Sequence, residues 1–252
     1  MPQRSVYILT AALVGYALEI PFVVEVVRNL PHRPFSLWVL MVLASMLLIP
    51  AGLLVTRTLG VEATPILDAY LVGESARAGV WKVVRVALIS MPIVLIADQL
   101  TGLLFRRPPT ITLTANLANP KSLVLLQLAA IGAGPYEESV YRLGLLSCIV
   151  WLFARGLKLG AEDHTTFWLA NLAQATCFSF LHQILAPLKP LSFRMAVPTS
   201  YTGAALVFGY VYWIYGWEAA VLSHVLFDSI APIAVVLIGG SRWAIFHLGA
   251  RN

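Results

Sequence analysis

The sequence predicts an all-α fold, a polytopic transmembrane bundle of about seven or eight helices, and three observations lead to it. The 252 residues are 59% hydrophobic and only 12% charged, with a mean hydropathy of +0.82, whereas a soluble domain carries about 25% charged residues. Apolar runs recur along the chain at lengths near the roughly 20 residues that one bilayer crossing needs. The few acids and histidines that interrupt those runs fall at helical spacings. A water-soluble globule is excluded, and so is a disordered chain, which persists only where there is too little apolar surface to bury. Seven or eight crossings use up the length, so a single transmembrane domain over 1–252 is expected, with its motif-bearing core at about 121–238.

Seven stretches are long enough to cross, running approximately from Ser5 to Val27, Phe35 to Val55, Lys82 to Phe105, Lys121 to Phe153, Thr166 to Leu188, Pro198 to Gly216 and Glu218 to Ile238. The first begins after Arg4 and continues through Glu19 and Pro21, which reads as a span rather than a cleaved leader. Arg57 to Val80 mixes Asp68, Glu74 and Arg77 with apolar residues and reads as an interfacial amphipathic segment. Arg106 to Asn119 reads as a polar loop. The stretch from Lys121 to Phe153 exceeds one untilted crossing and contains Gly132, Gly134 and Pro135, so a break or kink is expected there. Pro135 suits the first turn of a helix that continues with Tyr136, Glu137 and Glu138, since carboxylates favour the positive end of the helix dipole. Trp213, Tyr215 and Trp217 bracket a tight turn and read as an aromatic belt at one membrane face.

The formal charge is +5, but the basic residues are dispersed and form no phosphate-binding stripe. They read as loop cations set against lipid headgroups, and no nucleic-acid partner is expected. Cys148 and Cys177 both lie in apolar runs and imply neither a disulfide framework nor a metal cluster.

An ionisable residue at the bilayer centre costs about 2.5–3.5 kcal/mol on insertion scales, so such residues are functional candidates by default. Three groups stand out: Glu137, Glu138 and Arg142; His182; and His224 with Asp228. Glu138 and Arg142 are four apart with the acid first, the favoured order for an ion pair. Glu137 lies about 100° around an α-helix from Glu138 and is expected to point elsewhere, unpaired, where it can serve as a general base. Phe178 and His182 share a face, as do His224 and Asp228. Glu19, Glu25 and Asp98 are intramembrane acids outside these groups, either lining a water path or sitting near an interface. His32, His164 and His247 are assigned no chemical role.

Glu137-Glu138-Ser139-Val140-Tyr141-Arg142 reads Glu-Glu-x-x-x-Arg, Phe178 to His182 reads Phe-x-x-x-His, and His224 to Asp228 reads His-x-x-x-Asp/Asn. This ordered trio, over about Ala133 to Asp228, resembles the CAAX-prenyl-protease and bacteriocin-processing (CPBP, or ABI) family of intramembrane proteases. The resemblance implies a metal-free, cofactor-free glutamate endopeptidase. In it Glu137 and His182 would hold and activate the attacking water, and His224 with Asp228 would stabilise the oxyanion. Glu138, Arg142 and Phe178 would support them. The best-known prenyl-protein proteases carry Asn where this chain has Asp228. An amide donates to an oxyanion but an ionised carboxylate repels it, so Asp228 either carries a proton or orients His224 as an acceptor.

The chain lacks His-Glu-x-x-His, Gly-x-Ser-x-Gly and a complete dinucleotide fingerprint. Zinc on Glu137, His182 and His224 is compatible with those ligand types. The expected protein is a multi-pass integral membrane protein, in the cell membrane, that hydrolyses a peptide bond in a membrane-associated, lipidated or unlipidated, protein or peptide. Two other classes remain open: a non-catalytic immunity factor or scaffold that binds a hydrophobic peptide in the same cavity, and a transporter whose acids and histidines relay protons or bind cations.

Overall fold

A computed structural model describes residues 2–27, 35–104, 120–160, 163–185 and 201–237, and no strand occurs among them. The helices are α1 (Pro2–Val27), α2 (Phe35–Leu59), α3 (Pro65–Leu71), α4 (Arg77–Leu104) and α5 (Pro120–Glu137). A π-helical segment (Glu138–Leu146) runs on from α5 into α6 (Ser147–Gly156), and α7 (His164–Leu185), α8 (Thr202–Tyr215) and α9 (Trp217–Leu237) complete the bundle. Within the described residues, each of the seven apolar stretches falls on a helix, or on the continuous α5–π–α6 rod. The Arg106 to Asn119 loop, His32 and His247 lie outside the described residues, as do the side chains of Glu25 and Asp98.

By length and composition, Val42–Leu59, Arg77–Ala97 and Leu123–Gly156 can each cross a membrane, while Thr202–Tyr215 is apolar but shorter. Leu47, Leu54, Ile89, Ile93 and Ile96 stand exposed along α2 and α4. Water penalises such apolar stripes and acyl chains solvate them.

Within Arg57 to Val80 only α3 is helical besides the ends of α2 and α4. Pro at its start and Asp68 in its first turn suit a helix N-terminus. Glu218, in the first turn of α9, accepts the Leu67 amide at 2.9 Å, and the Asp68 carboxylate pairs with Arg4 of α1. This short segment is therefore tied to both α1 and α9.

Of the break or kink expected around Gly132–Pro135, the break is absent. The helix continues through Pro135, and the irregularity falls just beyond it, in the nine π-helical residues Glu138–Leu146. Proline removes one intrahelical donor and crowds the preceding turn, and the wider i→i+5 turns that follow accommodate an extra residue without interrupting the rod. The Ser139 hydroxyl bonds back to the Pro135 carbonyl at 2.6 Å.

The two glycines serve close packing instead. A Cβ on Gly132 would collide with the Gly15 carbonyl of α1 and lie 3.1 Å from Glu19 Cγ, and one on Gly134 would lie 3.0 Å from the Val221 carbonyl of α9. Thus α5 is clasped between α1 and α9. Buried hydroxyl pairs join further helices: Ser90 of α4 donates to Ser223 of α9 at 2.8 Å, and Ser147 and Tyr212 share a bond of 2.8 Å. Such pairs satisfy polar groups that lipid cannot.

The half-buried Trp217 at this turn also makes an internal contact. Its indole N–H donates inward to Ser139 Oγ at 3.0 Å, and its backbone amide donates to the Ala63 carbonyl at 2.7 Å. Trp213 stacks on Phe167 with centroids 5.4 Å apart, while Tyr215 lies 5.6 Å from the Lys82 ammonium.

Candidate active site

Glu137 and Glu138 straddle the junction where α5 becomes π-helical. Adjacent residues on an α-helix diverge by about 100°, which predicts that Glu137 stands apart. The structure corrects this, because the imidazole of His224, from α9, fills the wedge between them. Its Nδ1 lies 2.6 Å from Glu138 Oε1, and its Nε2 lies 3.7 Å from Glu137 Oε2. One ring thus meets both carboxylates, each on a different nitrogen.

The other carboxylate oxygen of each glutamate is also engaged. Glu138 Oε2 pairs with Arg142 Nε at 3.2 Å, both side chains fully buried. Glu137 Oε1 faces His182 Nε2, from α7, at 3.3 Å. Glu137 is therefore not unpaired: an imidazole stands at each of its oxygens.

Second partners orient both rings. His182 Nδ1 lies 2.9 Å from the Phe178 carbonyl, which can only accept, so Nδ1 carries the proton and Nε2 is turned to Glu137. Glu138, whose other oxygen pairs with Arg142, accepts from His224 Nδ1 in the same way. A histidine whose one nitrogen is fixed by a carboxylate or carbonyl presents the other in a defined state. Asp228 Oδ2 lies 3.3 Å from His224 Nε2, on the nitrogen that also faces Glu137. The acceptor that orients His224 through Nδ1 is thus Glu138, and Asp228 shares the reactive edge of the ring.

Aromatic rings enclose the charges. The Phe178 ring lies 4.2 Å from the His182 ring and 4.5 Å from the Arg142 guanidinium. Phe208, on α8, stacks on His224 at 4.6 Å and 15° and lies 5.5 Å from the guanidinium. Sequence reasoning missed Phe208, since an aromatic residue in an apolar helix carries no signal of its own.

Exposure divides the cluster. Glu138 and Arg142 are sealed and His224 nearly so, while Glu137, His182 and Asp228 are 14%, 28% and 33% exposed. The accessible groups are thus an acid, an imidazole and a second acid, resting on a buried Arg–Glu–His chain. A neutral imidazole Nε2 and a carboxylate oxygen are both acceptors, so a water resting beside this pair can donate to each. No grouping of His, Cys, Asp and Glu among the described residues has the arrangement of a metal site.

Residues 119–230 match the family model described as Rce1-like, type II CAAX prenyl endopeptidase Rce1-like. The matched stretch contains Glu137, Glu138, Arg142, Phe178, His182, His224 and Asp228, and it leaves α1 to α4 outside. No curated protein and no solved structure matches the chain.

Proposed function

We propose, from the premise that the segment 119–230 belongs to the Rce1-like family of type II CAAX prenyl endopeptidases, that this integral membrane protein is a multi-pass, glutamate-dependent endopeptidase. In this reading a water donates to Glu137 and to Nε2 of His182. Glu137 takes its proton as general base while the oxygen attacks the scissile carbonyl carbon. The carbonyl electrons move to oxygen, and a protonated His224 Nε2 donates to that oxyanion. Asp228 carries a proton and donates beside it, or as a carboxylate it holds the imidazolium. Collapse of the intermediate breaks the C–N bond, and the proton on Glu137 passes to the leaving amine. Nothing in the sequence of steps calls for a metal.

The observation that carries the reading is the placement of Glu137, with one imidazole Nε2 at 3.3 Å and another at 3.7 Å from its two oxygens. The substrate would be a membrane-associated protein or peptide, met in the cell membrane, whose cleavage site enters beside Asp228 and His182, the exposed edge of the cluster. The test is a cleavage screen of the purified chain in liposomes against prenylated and unprenylated membrane peptides, with His182→Ala and a chelator as controls. Cleavage that survives the chelator and is lost in His182→Ala is expected. Cleavage abolished by the chelator would overturn the metal-free mechanism. Proton-coupled ion flux without cleavage would move the assignment to a transporter.

A further inference from the structure

Ser139 follows Glu138 in the first turn of the π-helical segment, and its side chain is fully buried. In an α-helix the Pro135 carbonyl would accept from the amide of residue 139. Here the Ser139 hydroxyl bonds that carbonyl at 2.6 Å. A serine that bonds back to the carbonyl four residues earlier competes with the regular α ladder, and the segment containing Ser139 closes wider, i→i+5 turns. Wider turns rotate the chain by less per residue than the roughly 100° of an α-helix. That suits two consecutive carboxylates, Glu137 and Glu138, that reach the two nitrogens of one imidazole.

The hydroxyl is itself held from α9. Trp217 Nε1–H donates to Ser139 Oγ at 3.0 Å, and the Trp217 amide donates to the Ala63 carbonyl at 2.7 Å, so the indole and its backbone are both fixed. His224 comes seven residues later on α9, about two turns deeper and only about 20° around the axis from Trp217. One face of α9 therefore grips two consecutive residues of the junction. Trp217 holds the Ser139 hydroxyl, and His224 Nδ1 holds the Glu138 carboxylate at 2.6 Å.

We propose that Ser139 and Trp217 are positioning residues of the site. The bonded chain from Trp217 through Ser139 to Pro135 keeps the wide turns in place at the Glu137–Glu138 junction and seats α9 so that His224 reaches both carboxylates. The consequence for catalysis rests on the endopeptidase reading, whereas the placement of His224 does not. Without the hydroxyl, the amide of residue 139 is free to take the Pro135 carbonyl in α register, which turns Glu137 away from His224.

The experiment uses the full chain in liposomes as wild type, Ser139→Ala, Ser139→Thr, Trp217→Phe and Tyr212→Phe. The last removes a buried hydroxyl bond of similar length, that to Ser147 at 2.8 Å, just beyond the far end of the same segment, and serves as the comparison. Two quantities are read: kcat and KM on a membrane peptide that the wild type cleaves, and the proton resonance of His224 Nδ1–H in chain carrying 15N-labelled histidine, identified by its loss in His224→Gln. Ser139→Ala should displace that resonance and lower kcat by up to about 100-fold, as misplaced catalytic groups do, with KM nearly unchanged. Trp217→Phe should act in the same direction and keeps the test open if Ser139→Ala folds poorly. Ser139→Thr, which retains the hydroxyl, should restore most of both quantities, and Tyr212→Phe should move neither. Wild-type kcat and resonance in Ser139→Ala and Trp217→Phe would overturn the inference and leave the endopeptidase reading intact, and so would a fall in kcat with the resonance unmoved. A displaced resonance in a chain that cleaves nothing would support the placement of His224 and remove the endopeptidase reading.

Discussion

Removing Arg142 isolates the part of the account that depends on burial. Its side chain is fully enclosed, its Nε is 3.2 Å from Glu138 Oε2, and its guanidinium carbon lies 4.5 Å from the Phe178 ring. Arg142→Met keeps the apolar stem and removes the charge. The lost cation–π contact contributes about 0.5–2 kcal/mol. Stranding one partner of a buried ion pair costs about 3–5 kcal/mol, so the orphaned Glu138 dominates the loss. Glu138→Gln strands Arg142 in the same way, yet leaves an amide oxygen able to accept from His224 Nδ1. The double variant Arg142→Met/Glu138→Gln buries no unpaired charge and is expected to be more stable than either single variant, with a coupling of about 1.5–3 kcal/mol. Reversible unfolding in mixed micelles, followed by circular dichroism over a denaturing-detergent titration, reads all four forms. A loss under about 1 kcal/mol in Arg142→Met, or a double variant whose loss equals the sum of the two, would refute the reasoning.

Three further outcomes follow from the packing and the site. Gly132→Val forces β-branched bulk against the Gly15 carbonyl and should destabilise the α1–α5 contact by about 1–3 kcal/mol, read in the same titration, while Gly60→Ala, with open space around its Cβ position, reports only the cost of its left-handed backbone, about 1 kcal/mol. Trp217→Phe removes the indole donor to Ser139 and should cost about 0.5–1.5 kcal/mol; no change would show that the inward bond contributes nothing. Phe208→Leu keeps the volume near His224 but loses the stacked ring, so kcat should fall several-fold with KM nearly unchanged, and a rise in KM alone would indicate that Phe208 contacts substrate instead.

The fold was legible wherever composition decides it. Apolar runs of bilayer length became helices because lipid leaves the backbone no other partner than itself. What misled was local irregularity: Gly132 and Pro135 look like a break in isolation, but one is the contact point of α1 and the other is absorbed by the wider turns of Glu138–Leu146. The i,i+4 spacing of Glu138 and Arg142 was readable because both lie on one helix. The meeting of Glu137 and Glu138 on the two nitrogens of His224 was not, since it depends on where α9 sits against α5. Trp217 and Phe208 were hidden for the same reason, as their partners lie far along the chain. Glu19 announced itself by cost alone, as a charge in an apolar run, and its observed neighbour is Gly132 of α5.

The central claim, that the Glu137 carboxylate flanked by two imidazoles removes a proton from the attacking water, is tested most directly by kcat/KM of purified Glu137→Gln against wild type on one cleavable membrane peptide at one pH. The amide keeps shape and volume but cannot accept the proton, so a fall of about 10²–10⁴-fold with unchanged unfolding is expected. Cleavage by Glu137→Gln at the wild-type rate would contradict it.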